Sequence, residues 1–221
     1  MVLEVISVYF LRNKRLIFDN FNLKLAKSQI IILIGNNGVG KTSLFDLIVG
    51  ILKPKKGLIK INKTPVNEID RDKRKIFTYL PHKDSLKDYL TVEENLINWL
   101  DITNNQLNHD DFSKSLEYFN LHEISQDLMG NLSHGQRKKV SLTKLLLTNS
   151  ELWILDEPFN GLDIESTEKT KTMIEDHKKK GGSIILASHI NLNIKGSKKI
   201  FIKNPYKKLK KISNFNSWED I

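Results

Sequence analysis

A chain of 221 residues, 39% hydrophobic and 28% charged, can bury a sizeable core as one domain with a lobe inserted in it. Zero cysteines exclude disulfides and thiolate metal sites, and the longest apolar run, Ile30 to Ile34, is far short of the ~20 residues of a membrane-spanning helix. The formal net charge of +9 gathers in runs such as Lys53-Pro-Lys-Lys56, Lys178-Lys-Lys180 and Lys207-Lys-Leu-Lys-Lys211, and charge alone does not choose between solvated faces, an anionic membrane surface and nucleic acid.

Leu3 to Phe10 and Leu16 to Leu25 read as strands from their apolar, β-branched and alternating residues. Tyr9, Phe10 and Arg12 are candidates to cover an adenine face, by stacking or through a guanidinium. Gln29 to Ile34 is an apolar strand leading into Gly35-Asn36-Asn37-Gly38-Val39-Gly40-Lys41-Thr42, and Ser43 to Val49 continues as a helix. In that setting the glycines let backbone N–H groups turn inward around a polyphosphate while the helix N-terminus adds partial positive charge. Lys41 reaches the β- and γ-phosphates and Thr42 ligates Mg²⁺.

Gly57 to Asn62 reads as an edge strand and Lys75 to Leu80 as a buried one ending at Pro81, with His82 next. From Leu86 the period changes. Thr91-Val-Glu-Glu94 is a capping box opening a helix through Leu100, and Asp110 to Phe119 carries Phe112, Leu116 and Phe119 on one face. Residues 86–134 are therefore expected to form a helical insertion in an α/β body. Ser133 caps a helix from Arg137 to Leu147, whose N-terminus is a second anion site. Leu152 to Asp156 is a buried strand whose tip presents Asp156 and Glu157, one carboxylate for a metal shell and one to take a proton. Glu165 to Lys180 is a helix closed by Gly181-Gly182, and Ser183 to Ser188 is a strand delivering His189 to the same edge. Lys198 to Ile202 suits a last strand, with a basic tail over 203–221.

The ordered set of Gly35-to-Thr42, Leu132-Ser-His-Gly-Gln136, Leu152-to-Pro158, Gly161-Leu-Asp163 and Ser188-His189 resembles the nucleotide-binding subunits of ABC transporters, over residues 1–202. The resemblance implies a P-loop NTPase of α/β class: a RecA-like mixed sheet core, an antiparallel β lobe and a helical lobe. It implies ATP and Mg²⁺ as cofactors, contacts from Gly35 through Ser43, Asp156 holding Mg²⁺ through water, Glu157 as general base and His189 as γ-phosphate switch. Two copies would pair head to tail, with Ser133, Gly135 and Gln136 touching the ATP of the partner and Asp163 at the seam.

Two positions depart from the family pattern, His82 for the usual Gln and His134 for a signature Gly. With Tyr79 to His82, Leu152 to Phe159 and His177 before Gly181-Gly182, they make the chain similar to the haem exporter subunits of cytochrome c maturation. That branch places Arg at the position of Arg12, which favours Arg12 over Tyr9 for the adenine. The implied partners are integral membrane subunits, with the chain peripheral on the cytoplasmic face of the inner membrane or the mitochondrial matrix side, and no nucleic acid. Another exporter's ATPase, or a soluble ABC ATPase acting on ribosome or DNA, is the alternative.

Overall fold

The computed structural model describes residues 1–69, 76–103, 109–189 and 192–203; the tail beyond residue 203 and the start of the strand expected from Lys75 lie outside them. Elements in chain order are β1 (Leu3–Arg12), β2 (Arg15–Leu25), β3 (Ile30–Ile34), α1 (Lys41–Ile48), β4 (Lys56–Ile61), β5 (Thr64–Pro65) and β6 (Phe77–Leu80). They continue with α2 (Val92–Thr103), α3 (His109–Tyr118), α4 (His134–Leu146), β7 (Leu152–Asp156), α5 (Ile164–Lys179), β8 (Ser183–Ser188) and β9 (Ser197–Phe201).

Two sheets form. The first is antiparallel, in the order β2-β1-β4-β5. The second, in the order β6-β7-β8-β3-β9, is parallel at every described pairing. Gly57 to Asn62, expected at an edge, lies instead inside the first sheet, because the short β5 folds back onto Lys60 and Ile61. The strand ending at Leu80 is one of the two outer strands of the parallel sheet, with Thr78 and Leu80 buried on one side and Phe77 and Tyr79 half-buried against the first core on the other.

The central strands are apolar except at Asp156, Ser183 and Ser188, and their period-two geometry divides the apolar residues between two cores. Ile31, Leu33, Leu152, Ile154, Ile185 and Ala187 face a core shared with β1, β2 and the apolar side of α1. Ile30, Ile32, Trp153, Leu155, Ile184 and Leu186 face a second core shared with α2, α4 and α5. The capping box opening α2 forms reciprocally: Thr91 N donates to Glu94 Oε2 at 2.8 Å and Glu94 N donates to Thr91 Oγ1 at 3.1 Å.

Under the sheet, the His177 ring of α5 stacks on Trp153 with centroids 3.7 Å apart and planes within 4°. Its Nε2 is buried with no partner among the described residues, and burial pushes the imidazole down to about 4, so the ring is neutral at pH 7. The ring fits because residue 182 has no side chain: a Cβ there would collide with it. Gly182→Ala should therefore destabilise the fold by about 1–3 kcal/mol in denaturant unfolding, as overpacking does. Unchanged stability would mean that the stack relaxes freely.

Candidate functional site

Parallel pairing in register brings the ends of β3, β7 and β8 side by side, with Asp156 opposite Ala187 and Ile34 opposite Ser188. Everything that follows those strand tips meets at one edge, the place where ligands bind in such sheets. After β3 the chain makes the glycine turn. Gly40 holds φ 114°, which L side chains rarely adopt, and a Cβ there would come within 2.5 Å of Ile17. Lys41 opens α1 almost fully buried; its ammonium donates to the Gly35 carbonyl at 2.7 Å and lies 3.5 Å from Glu157 Oε1.

The two carboxylates after β7 are also buried, at 2% exposure for Asp156 and 8% for Glu157. Thr42 donates to Asp156 Oδ2 at 2.6 Å. Burial pushes the Asp156 carboxyl above its usual range, and Thr42, His82 and Lys41 oppose that rise. Glu157 sits in the left-handed region, φ 50°, with its N–H donating to the Ala187 carbonyl at 3.1 Å. That turn aims Glu157 Oε2 at His189, which donates its backbone N–H at 3.2 Å and approaches through Nδ1 at 2.9 Å. His189 is otherwise exposed.

These groups line a cavity of about 760 Å³. Asn37, Gly38, Gly40, Lys41, Thr42, Ser43, His82, Asp156, Glu157 and His189 all reach it, and so does Arg12, whose Nη1 donates to Ser43 Oγ at 2.9 Å. Phe10 is in the core. Gly35 and Asn36 lie off the wall, and the Val39 side chain is buried beneath the loop against Gly35. Sequence reasoning missed four further wall residues, Asn13, Arg15, Ile17 and Asn160. Arg15 reaches the wall because Asn13 and Lys14 both take positive φ, forming a two-residue hairpin that sets Arg12 opposite Arg15.

Ser133, Gly135 and Gln136 lie away from this cavity, at the start of α4. Ser133 Oγ accepts from Gln136 N at 3.3 Å, and the Gln136 side chain accepts from Ser133 N at 2.9 Å. Asp163 caps α5, accepting from Ser166 N at 2.7 Å, and pairs with Lys139 at 2.8 Å; the lysine and that cap hold its carboxyl well below the usual range. Helix α4 also grips the chain just after His82. Arg137 donates through Nε and Nη2 to the two oxygens of Asp84, at 3.1 and 3.0 Å, and through Nη1 to Asp88 at 2.7 Å. Lys144, 4% exposed, reaches Ser85 Oγ at 3.3 Å and lies 4.9 Å from the centre of the Trp99 ring.

Residues 18–160 match the family described as ABC transporter. The chain belongs to the ABC transporter family. A cytochrome c biogenesis ATP-binding export protein, CcmA, of Pseudomonas fluorescens is 33% identical over 192 residues, covering 87% of this chain and 90% of that protein. The protein of the same name from Reclinomonas americana is 34% identical over 214 residues, covering 96% of both chains. A solved ATP-binding subunit of an ABC transporter superposes with a TM-score of 0.77 at 27% identity, over 86% of this chain and 80% of that one. This ABC chain is thus an ATP-binding subunit and an ATPase, and its fold is that of an ABC cassette.

The buried Lys144 makes part of the cassette pH-sensitive. Burial pushes its ammonium down from the ordinary 10.5 to about 8, with Asp84 opposing. Below pH 8 the lysine is charged in folded and unfolded chains alike, and its burial costs stability in full. Between pH 8 and 10.5 the folded chain gives up the proton first, so that cost is relieved as pH rises. Lys144→Met should therefore flatten the rise in unfolding free energy across that window by about 2 kcal/mol, measured by urea unfolding at stepped pH. An unaltered slope would assign the titration to another group.

Proposed function

We propose that this chain is the ATP-hydrolysing motor of a membrane complex that serves haem handling in cytochrome c maturation. The observation that carries the hydrolytic part is the convergence of Lys41, Asp156, Glu157 and His189 on one cavity, with His189 Nδ1 2.9 Å from the Glu157 carboxylate. The pathway is supported by the export proteins of cytochrome c biogenesis that the chain resembles over most of its length.

Lys41 is placed to leave the Gly35 carbonyl for the β- and γ-phosphates of ATP, with the backbone of Gly38 and Gly40 beside it. Arg12, anchored on Ser43, lines the same cavity and is the residue that would cover the adenine face. The donor set fits Mg²⁺: Thr42 and Asp156 present adjacent hard oxygens, and among the described residues no group of three His, Asp or Glu side chains could hold a metal alone. Such a site suits an ion that keeps its waters and shares phosphate oxygens. When bound, Mg²⁺ supplies charge stabilisation for the transferring phosphoryl group.

Glu157 takes the proton of the attacking water, and His189, 2.9 Å from that carboxylate through Nδ1, would donate to Glu157 and to the γ-phosphate together when each ring nitrogen carries a proton. His82, on the wall of this cavity at the head of the chain after β6, is the residue there that would reach the metal. Ser133, Gly135 and Gln136, away from their own cavity, serve the ATP of a second copy in a head-to-tail pair, with Asp163 at the seam. No described helix is long and apolar enough to cross a membrane, and we place the chain at the cytoplasmic face of the inner membrane or its mitochondrial counterpart, docked on integral membrane subunits. Residues 1–202, with a helical subdomain over 86–134, act as the motor and 203–221 as a basic tail.

Glu157→Gln should keep ATP affinity while turnover falls about 10²- to 10⁴-fold, with an ATP-dependent dimer accumulating in size-exclusion chromatography. Retained turnover would remove Glu157 as the base. A tagged chain recovered from detergent-solubilised membranes should carry integral membrane subunits with it; recovery with ribosomes or nucleic acid instead would overturn the transport assignment.

A further inference from the structure

Three basic residues stand in succession near the start of α4, and the helix turns each in a different direction. Arg137 is paired with Asp84 and Asp88, and Lys139 with Asp163. Lys138 has no carboxylate within ion-pair distance among the described residues, although it is partly buried. It lines a small cavity between α4 and the chain after β6, about 20 Å³, room for one water. His82 and Asn160 belong to the walls of both this cavity and the nucleotide cavity, so Lys138 stands one side chain away from the hydrolytic site of its own chain. The carboxylates that hold its charge against burial are Asp156, Asp84 and Glu157. Asp84 is already saturated by Arg137 through both oxygens, which leaves the pair at the tip of β7.

We propose that Lys138 is a positioning residue for hydrolysis, a fixed countercharge that α4 sets behind Asp156 and Glu157 of its own chain and against which Mg²⁺ must enter. The inference rests on the assignment of Asp156 to the metal. A fixed cation behind a metal site weakens the metal and leaves the carboxylates less dependent on it. Withdrawal of α4 would remove that opposition. The helix that carries the signature residues thereby acts on metal retention in the same chain.

The test measures the Mg²⁺ midpoint for binding of a fluorescent ATP analogue to the full chain, beside its affinity in EDTA. Lys138→Gln and Lys138→Met should lower the midpoint about threefold or more, since one charge is removed from a low-dielectric surround, while affinity in EDTA does not rise. Lys138→Arg should restore the parent midpoint. A midpoint unchanged in the folded neutral variants, checked by thermal unfolding, would overturn the proposal, and so would an equal shift in Lys138→Arg. Failure of the underlying site is distinguishable: there the parent, or Asp156→Asn, would show no difference in Mg²⁺ dependence.

Discussion

Two carboxylates buried side by side at the end of a strand are the constraint on which this molecule turns. Removing such charges from water costs several kcal/mol each unless partners face them. At Asp156 and Glu157 the partners come from two separate segments: Thr42 and Lys41 from the start of α1, and from the end of β8 the Ala187 carbonyl, which fixes the turn at Glu157, and His189. None of these is near in sequence. They meet because β3, β7 and β8 run parallel and in register, which requires long crossovers, and the crossovers are the helices that fill the two cores. Site and fold are the same requirement met at two scales.

Much of this was legible in the sequence because it is written locally. A glycine turn between an apolar strand and a helix, two acids after four apolar residues, and a histidine at a strand tip each fit within about ten residues, so Lys41, Thr42, Asp156, Glu157 and His189 could be named before any pairing was known. Helix starts were equally plain at Thr91 and Ser133, where the cap and its reciprocal partner stand three residues apart. What stayed hidden was decided over distance. Arg137 and Asp84 are 53 positions apart, and nothing in either neighbourhood says that they meet. Which of Arg137, Lys138 and Lys139 looks inward depends on the rotation of α4, set by Val140, Leu142 and Leu145 finding the second core. The interior position of β4 depended on a strand of two residues, too short to leave a pattern. Asn160 carried no signal beyond its place after Pro158 and Phe159.

The chain after β6 changes allegiance within three residues. Leu80 pairs in the parallel sheet, while from Asp84 onward the contacts belong to the helices: Arg137 on Asp84 and Asp88, Lys144 on Ser85, and Asn95 exchanging two hydrogen bonds with Lys87, at 2.8 and 3.0 Å. Only Pro81, His82 and Lys83 lie between the two sets. His82 is therefore held by the sheet on one side and the helices on the other, and any relative rotation of those two would fall on Pro81, His82 and Lys83. A residue at such a point reports the angle between them more directly than one rooted in either.

The reciprocal cap at Ser133 has a consequence of its own. A helix ordinarily offers an approaching anion several unused amides at its beginning. Here the Ser133 amide is taken by the Gln136 side chain and the Gln136 amide by the Ser133 hydroxyl, so the N–H groups of His134 and Gly135 remain. They are consecutive, and Gly135 sits so close to the Gly161 carbonyl that a methyl group there would come within 2.9 Å of it. The start of α4 thus leaves two neighbouring amides where an uncapped helix leaves four, a narrower seat than such a terminus ordinarily offers.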